Sequence, residues 1–354
     1  LKKAGAGTAV AAGTLAAPAI AQGREKLTMV TAWGRGLAGV FDAAQRVADS
    51  VNEMSQGTLE IEVKAQGELV SGLAAVFDSV VSGQADMYHA ADYYYVGQHP
   101  AFGFFTAVPF GMNVIELNTW YYHQGGHELH LELGEEFGLV SFLAGNTGAQ
   151  AGGWLNKEIN SPEDFQGLKF RMPGLGGAAL GKLGASVQTI PGSEVYQALA
   201  SGAIDGTEWI GPWADEKAGF YEITKLFYTS GFHEPGSGLA LAINADRWSS
   251  LKPEHQKIIE IAAGEANQWN HGQYLGNNAV ALQRLVDKGV KTMQYNDSIW
   301  DAFGKASAAT MEEHMGDPLF KKTFESVRSS MKATSAWWTM AEGSYTTQRN
   351  RVLG

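Results

Sequence analysis

The first 90 residues alternate between segments with the two-residue period of a strand and segments with the period of a helix. Residues 27–32 and 58–63 alternate apolar with polar side chains and predict two strands, the second half-exposed because glutamates occupy its polar positions. Residues 41–54 and 72–81 carry apolar side chains at helical spacing and predict two helices. Strand, helix, strand, helix in this order predicts a parallel α/β sheet.

A second stretch of the chain repeats part of this pattern. Residues 195–205 resemble residues 76–86: each segment is an amphipathic helix that ends at a Ser-Gly pair and leads through an aspartate into a short strand. The two aspartates are Asp86 and Asp205. Two similar units predict two lobes of similar construction. A chance match is the alternative, because Ser-Gly is a common helix stop.

The last third of the chain has a mainly helical pattern. A helix is predicted from Pro253 to about residue 269, a strand over 290–293, and further helices over 298–315 and 318–331. The segment that follows contains Trp337, Trp338 and Tyr345. An aromatic tail of this kind packs either on its own body or on a partner subunit.

Length and charge narrow the class of protein. A chain of 354 residues is too long for one ordinary core and predicts two domains or lobes. Its formal net charge of -11 disfavours nucleic acid as a partner, although a pocket can still be locally positive. The chain has no cysteine, which excludes disulfide and thiolate chemistry.

The first 21 residues have the pattern of a secretory signal peptide. Lys2 and Lys3 are followed by a small, weakly apolar run, and Ala19-Ile20-Ala21 matches the small-x-small cleavage pattern. A flexible alanine-rich tail is the alternative. No later segment has the length and apolarity of a membrane span. We therefore expect a soluble mature protein outside the cytoplasm.

Arg171 is the strongest candidate for ligand binding. It lies in the predicted short strand 168–172, just before a glycine-rich loop. Ligands of open α/β sheets bind at the carboxyl ends of strands, where a guanidinium can hold a carboxylate through two parallel hydrogen bonds. A solvated surface arginine is the equally weighted alternative.

Three other segments carry polar groups suited to a pocket. Glu208 lies among apolar and aromatic residues in 206–213 and needs a cation, a hydrogen-bond donor or a metal, although a structural carboxylate would fit too. Residues 145–154 are glycine-rich and contain two side-chain amides, which both donate and accept. Tyr93-Tyr94-Tyr95 either lines a pocket or forms a buried strand end.

Two motifs typical of enzymes suggest alternatives to a ligand-binding pocket. Gly174-x-Gly176-x-x-Ala179 matches the dinucleotide fingerprint, with Glu194 at a plausible distance, but the strand before it is not expected to be a buried apolar one. A nicotinamide site is therefore a minor alternative.

The second motif is a set of three histidines. His123, His127 and His130 resemble a zinc cluster, but they lack the His-Glu-x-x-His spacing, and Gly125 and Gly126 weaken a helix there. No Ser-His-Asp or paired-carboxylate arrangement stands out in the sequence.

Five segments together resemble a known family, the periplasmic solute-binding subunits of TRAP (tripartite ATP-independent periplasmic) transporters, and within it a subgroup that binds 2-oxo acids or lactate. These segments are 67–70, 93–95, 145–154, 168–171 and 205–217. The run Gly-Asn-Thr-Gly-x-Gln-x-Gly-Gly-Trp is far more specific than the short motifs above.

This resemblance implies a binding site. Arg171 matches the arginine that holds the ligand carboxylate. Gln150, Glu208 and the carbonyl of Trp209 match the groups that hold a metal cation, Na⁺ or Ca²⁺, beside the ligand. Four further pocket positions match Glu234, Asn146, Tyr93 and Tyr94. Glu234 is also taken as a metal ligand. Residues 231–236 depart from the more aromatic, glycine-rich form expected there.

The resemblance also implies an architecture. We expect an α/β, two-lobed periplasmic binding protein fold of type II-like form, with the ligand cleft between the lobes and a long spanning helix. Lobe I is predicted over 22–144 and completed by about 231–270, and lobe II over 145–230 and completed by about 271–315. Residues 316–354 are expected to form a helical extension that makes a homodimer.

These observations give one functional hypothesis and two alternatives. The hypothesis is a non-enzymatic receptor that captures a small 2-oxo or 2-hydroxy monocarboxylate, such as pyruvate or lactate, with a metal cation and no organic cofactor. It would deliver this ligand to the small and large permease subunits of a TRAP transporter. The alternatives are an NAD(P)-dependent oxidoreductase that uses the Gly174-x-Gly176 loop, and a sensor domain of the same fold.

Overall fold

A computed structural model describes residues 24–354, so the predicted signal peptide lies outside the described residues. The strands in chain order are β1 (Glu25–Thr31), β2 (Leu59–Lys64), β3 (Met87–Ala90), β4 (Leu139–Asn146), β5 (Gly153–Leu155), β6 (Lys169–Arg171), β7 (Ser186–Gln188), β8 (Gly206–Thr207), β9 (Leu226–Tyr228), β10 (Gly238–Asn244) and β11 (Lys291–Met293). The helices are α1 (Val40–Met54), α2 (Leu73–Val81), α3 (Gly103–Thr106), α4 (Val114–His123), α5 (Gly126–Glu135), α6 (Gly174–Gly181), α7 (Gly192–Ala200), α8 (Pro212–Ala218), α9 (Ala245–Ser250), α10 (Pro253–Asp287), α11 (Asp297–Glu312), α12 (Pro318–Trp338) and α13 (Ser344–Leu353).

The first sheet has the strand order β2-β1-β3-β10-β4. Strand β1 is parallel to both of its neighbours, whereas β10 is antiparallel to β3 and to β4. The alternation in β2 is real: its leucine, isoleucine and valine are buried, and its two glutamates are not. The predicted parallel α/β unit is therefore correct, and an antiparallel strand from later in the chain extends it.

The second sheet has the order β11-β9-β5-β8-β6-β7. Its strand β6 is parallel to β7 and to β8, so the three strands repeat the arrangement of β2, β1 and β3 in the first sheet. The similarity between 76–86 and 195–205 thus reflects two units of the same topology, as predicted from the sequence.

The two aspartates of the repeated segments make the same contact. Asp86 Oδ2 accepts a hydrogen bond of 2.7 Å from the backbone N–H of Thr28 in β1, and Asp205 Oδ2 accepts one of 2.9 Å from that of Lys169 in β6. Before each aspartate the helix ends at a glycine of positive φ, 76° at Gly83 and 72° at Gly202, because the chain must reverse there. Each aspartate therefore bonds to the backbone of the central strand of its unit, at the middle of β1 and at the first residue of β6.

The long helix α10 links the two halves of the molecule, as expected. Its 35 residues pack against α1 and β4 of the first half and against α8 of the second. Near the middle, Asn270 Oδ1 accepts a 3.1 Å hydrogen bond from the N–H of Asn146, the last residue of β4. Near its end, Arg284 forms an ion pair with Glu216 of α8.

The C-terminal helices divide into a packed part and an exposed part. Phe320 and Val327 of α12 are buried, and the ring of Phe320 lies 5.0 Å from that of Phe104. Helix α12 continues beyond the predicted residue 331 and joins α13 through a π-helical turn, Thr339–Gly343. Trp337 is 71% exposed. Within residues 24–354, no helix combines the length and apolarity needed to cross a bilayer.

The strands of the first sheet come from 25–146 and 238–244, and those of the second from 153–228 and 291–293. Strand β4 runs two residues beyond position 144. The assignment of lobes to 22–144 with 231–270, and to 145–230 with 271–315, stays a prediction.

Candidate ligand and cation site

Arg171 is the last residue of β6, a strand that lies between β7 and β8, and its side chain has no exposed surface. Its Nη1 donates to Glu208 Oε1, and its Nε donates to the carbonyl of Ile190 at 3.3 Å. The guanidinium carbon lies 5.2 Å from the centre of the Trp209 ring. Nη2 has no hydrogen-bond partner among residues 24–354. The alternative of a surface arginine is therefore wrong.

Glu208 follows β8 directly and is also fully buried. Its backbone N–H donates to the carbonyl of Arg171 at 3.3 Å, and its own carbonyl accepts a 2.6 Å hydrogen bond from Thr207 Oγ1. One carboxylate oxygen is held by Arg171, but Oε2 has no hydrogen-bond partner in the described part of the chain. A buried carboxylate oxygen without a donor is suited to binding a cation.

Asp215 fixes the backbone just beyond Glu208. Its Oδ1 accepts hydrogen bonds from the N–H groups of Ile210 and Gly211, at 3.0 and 2.9 Å, and its Oδ2 accepts one of 2.8 Å from the indole of Trp154. Burial raises the pKa of Asp215 to about 7, although these three donors oppose the rise. The bonds hold the segment that carries Glu208 and Trp209 in one conformation.

Gln150 lies between β4 and β5 and is 5% exposed. Its Nε2 donates to Thr147 Oγ1 at 3.1 Å and to Ser237 Oγ at 3.4 Å, while its backbone N–H donates to the carbonyl of Glu234 at 2.9 Å. Because both donor contacts orient the amide nitrogen, the oxygen Oε1 faces the other way, and it has no donor among the residues described.

His233 and Glu234 bring two more titratable groups to the same place. Glu234 is 2% exposed, and one of its carboxylate oxygens accepts a hydrogen bond from Ser237 Oγ. Burial, and then the charge of Glu208, raise the pKa of Glu234 to about 7. His233 Nε2 lies 3.5 Å from Glu208 Oε2 and 4.0 Å from Glu234 Oε1.

His233 was not among the residues predicted for the site. The signal available in the sequence was its position, directly before Glu234 in the segment that departs from the expected form. Within residues 24–354, the structure brings together one group of three histidine or acidic side chains that could hold a metal, namely Glu208, His233 and Glu234, with ligand atoms within 4.8 Å of one another. The unpartnered Gln150 Oε1 and Glu208 Oε2 also fit a cation site.

The remaining predicted pocket residues lie around this group. Tyr93 and Tyr94 belong to a 3₁₀ turn after β3 rather than to a strand end, and both line a small cavity with Gln150 and Trp209. Burial raises the pKa of Tyr94, and the positive charge of Arg171 beside it partly opposes that rise. Asn146 is buried, with Oδ1 bonded to the N–H of Gly148 at 2.8 Å and Nδ2 unpartnered within the described chain.

Gly176 of the dinucleotide-like motif and the adjacent Gly177 serve close packing. A Cβ added to Gly176 would lie 2.6 Å from the Cβ of His233, and one added to Gly177 would lie 2.1 Å from the carbonyl oxygen of Met172. These glycines let α6 approach the binding site and the end of β6. The strand before the motif is not a buried apolar one, as expected: Phe170 and Arg171 are buried, but Lys169 is half-buried and two of the three residues are cationic.

The three histidines of the zinc-like motif have separate environments. Gly125, with φ 88°, divides the segment, so that His123 ends α4 and His127 lies in α5. His130 Nε2 lies 2.9 Å from Asp92 Oδ2, and its ring stacks on Phe105 at 4.0 Å. The predicted break at the glycines is present, and His130 is held in a buried network.

Comparison with solved structures places the fold. A TRAP transporter solute-binding protein from Bordetella bronchiseptica, a dimer described with calcium and picolinate, superposes with a TM-score of 0.91 at 32% identity, covering 93% of this chain and 98% of that one. A TRAP periplasmic solute-binding protein from Colwellia psychrerythraea with calcium and pyruvate gives 0.89 at 36% identity, covering 92% and 100%. One from Pseudoalteromonas atlantica with sodium and pyruvate gives 0.87 at 35%, covering 92% and 99%. The predicted two-lobed fold is confirmed.

Comparison of sequences gives the family. The chain is 42% identical over 318 residues, 90% of this chain and 87% of the relative, to a monocarboxylate 2-oxoacid-binding periplasmic protein of a Nostoc species. The predicted periplasmic location agrees with this relative and with a C4-dicarboxylate-binding periplasmic protein of Rhodobacter capsulatus, 32% identical over 38% of this chain and 40% of that one. The model of the DctP family of bacterial extracellular solute-binding proteins, family 7, matches residues 37–317. The chain therefore belongs to this family, as its resemblance to TRAP solute-binding proteins predicted.

Proposed function

We propose that this protein captures a small 2-oxo or 2-hydroxy monocarboxylate, such as pyruvate or lactate, together with a metal cation. It then presents the loaded form to the small and large permease subunits of a TRAP transporter. One observation carries the proposal: a buried guanidinium with a free donor, at Arg171, lies beside buried oxygens that lack donors, on Gln150 and Glu208. In such a site the guanidinium can bind a carboxylate and the free oxygens can bind a cation, in place of the water that each loses on binding.

Arg171 is the proposed carboxylate-binding residue. Its Nη2 is free, its Nε and Nη1 fix the plane of the guanidinium, and the side chain is shielded from water. In a buried site a charge-assisted pair of hydrogen bonds is stronger than at the surface. The unpartnered Nδ2 of Asn146 and the side chains of Tyr93 and Tyr94 supply further polar contacts.

The proposed cation ligands are the side-chain oxygens of Gln150, Glu208 and Glu234 and the carbonyl of Trp209. Carboxylate, amide and carbonyl oxygens suit hard cations such as Na⁺ and Ca²⁺, and related proteins of known structure bind calcium or sodium together with pyruvate. When bound, the cation supplies positive charge for the ligand carboxylate and the oxygen at its 2-position. Gln150 and Glu208 orient their free oxygens for that purpose through the contacts of their other atoms.

We propose binding without catalysis and without an organic cofactor. Within α6, the Cβ positions of Gly176 and Gly177 lie against His233 and the carbonyl oxygen of Met172, so these glycines serve packing within the protein. A nicotinamide-dependent enzyme would instead change NAD(P)H absorbance in the presence of pyruvate. A sustained absorbance change with purified protein would contradict the receptor role.

We also propose a homodimer formed by the helical extension 316–354. Large apolar side chains stay exposed on its last turns, namely Trp337, Met340, Tyr345, Val352 and Leu353. Large exposed apolar patches commonly mark protein interfaces.

The predicted lobes would close around the ligand through movement about the cleft that contains Arg171.

The central experiment is calorimetric titration of the purified protein with pyruvate. The wild type is expected to bind, and Arg171→Ala is expected to bind at least about 100-fold more weakly, because a buried charged partner is lost. Lys169→Ala is the matched control on the same strand, since its side chain is 43% exposed. Treatment with a chelator in sodium-free buffer should abolish binding, and added Ca²⁺ or Na⁺ should restore it. Unchanged affinity in Arg171→Ala would overturn the assignment.

A further inference from the structure

His233 is the one titratable residue of the site that the proposed function leaves without a role. Its side chain is 1% exposed, yet neither ring nitrogen has a hydrogen-bond partner within residues 24–354. Burying an imidazole without partners is costly, and buried polar groups in native proteins are nearly always satisfied. The unsatisfied ring therefore points to a missing partner at this place.

The orientation of the ring is fixed by close packing. A Cβ on Gly231 would lie 2.5 Å from His233 Cε1 and 2.8 Å from Nδ1, and one on Gly176 would lie 2.6 Å from His233 Cβ. The ring of Phe232 meets the imidazole edge-on at 5.7 Å. Glycines at both neighbouring positions give the ring its space and leave Nε2 directed at Glu208 and Glu234.

The distances match those between ligands of one metal ion. Two ligands about 2.1 Å from a tetrahedral ion lie about 3.4 Å apart, and His233 Nε2 lies 3.5 Å from the free Oε2 of Glu208. Glu234 Oε1 lies 4.0 Å from the same nitrogen, which corresponds to a wider angle at a shared ion. An imidazole nitrogen and two carboxylates thus lie within 4.8 Å of one another.

We propose that His233 Nε2 is a direct ligand of the cation and that it gives this site a preference for a divalent transition ion, such as Zn²⁺, over Ca²⁺ and Na⁺. The proposal rests on the proposed function for the location of the cation. Ca²⁺ and Na⁺ take oxygen ligands, whereas imidazole suits zinc and its neighbours in the first transition row. Replacing one oxygen ligand by a nitrogen ligand changes the relative affinities of the site for these ions more than it changes the geometry of the site.

Metal titration of the metal-free full chain tests this preference. Zn²⁺ is expected to bind one ion per chain, more tightly than Ca²⁺. In His233→Gln the Zn²⁺ dissociation constant should rise at least about 10-fold and that of Ca²⁺ by less than about 3-fold, because only the nitrogen donor is lost. His123→Gln, at the exposed end of α4, is the control for adventitious binding by surface histidines. Equal loss for both ions, or tighter binding of Ca²⁺ than Zn²⁺ by the wild type, would overturn the proposal.

A spectroscopic measurement makes the test independent of any variant. With one equivalent of Mn²⁺ bound to the wild type, pulsed electron paramagnetic resonance should detect coupling to a ¹⁴N nucleus, and this coupling should disappear in His233→Gln. Absence of nitrogen coupling in the wild type would refute direct ligation, even if the variant folds poorly. Pyruvate titration of the Ca²⁺-loaded wild type separates the two hypotheses. Binding of pyruvate without nitrogen coupling rejects only the histidine ligand, whereas nitrogen coupling without pyruvate binding under any cation rejects the proposed function.

Discussion

The guanidinium of Arg171 and the carboxylate of Glu208 form an ion pair in which both side chains are completely buried. The two residues lie at the ends of neighbouring parallel strands, β6 and β8, so the sheet itself brings them together. Each charge depends on the other, because neither is solvated. The same pair leaves Arg171 Nη2 and Glu208 Oε2 free, and these are the atoms proposed to contact ligand and cation.

Removing one partner of this ion pair should destabilise the protein more than removing both partners. Arg171→Met is expected to lower the free energy of unfolding by about 3–5 kcal/mol, because it leaves Glu208 buried and uncompensated. Adding Glu208→Gln should recover most of that loss. Denaturant unfolding in the presence of a chelator measures both effects without contributions from bound metal. The double variant should still fail to bind pyruvate, and a double variant as unstable as Arg171→Met would contradict this account.

Helix α6 provides a matched pair of glycine substitutions. Gly176→Ala is expected to lower stability by about 1–3 kcal/mol, because its Cβ would overlap His233 at 2.6 Å. It should also weaken metal binding, since His233 must move. Gly181→Ala has open space around its Cβ and should leave stability unchanged or raise it by up to about 1 kcal/mol. Thermal melting with and without Zn²⁺ measures both effects, and equal behaviour of the two variants would disprove the packing argument.

The contact between α8 and α10 should make stability depend on pH in the acid range. Glu216 bonds to Arg284 and Lys288, at 2.5 and 2.8 Å, and the hydrogen bond from Arg284, followed by that from Lys288, lowers its pKa to about 2. A carboxylate whose pKa is lower in the folded state stabilises the fold above its unfolded pKa, about 4.5, and this contribution is lost as the pH falls towards 2.

Glu216→Gln should therefore melt below the wild type at pH 5–7, and the gap should close as the pH falls from about 4.5 to 2. Melting temperatures across this range check the expectation. Glu325→Gln is the control, because its exposed carboxylate lies 3.9 Å from Lys321. A gap that stays constant with pH would show that the ion pairs of Glu216 contribute nothing.

The exposed end of α12 gives a prediction about assembly. The wild type should sediment as a dimer at micromolar concentration, and Trp337→Glu should sediment as a monomer, because a charge replaces an aromatic ring that is 71% exposed in the single chain. Ser335→Glu adds the same charge at a neighbouring polar position and should remain dimeric. A monomeric wild type would rule out the proposed dimer.

Much of the architecture could be read from local pattern. The repeated units were visible because each encodes its own helix stop and its own aspartate, and Asp86 and Asp205 indeed make equivalent bonds to their central strands. The extent of the sheets was less accessible. Strand β10 pairs with β4 across 91 residues of intervening chain and β11 pairs with β9 across 62, and periodicity carries no information about such pairings.

For the site, the sequence by itself determined the residue types and the family, and the string around Gln150 and the strand of Arg171 carried most of that information. Tertiary structure decided which charges meet. Folding buries Arg171, for which the sequence supported two interpretations equally, against Glu208. It also places His233, which was not among the predicted site residues, 3.5 Å from the same carboxylate. Electrostatic partners across 25 or more residues depend on how strands and loops pack, and desolvation, which no local pattern records, sets the strength of their interaction.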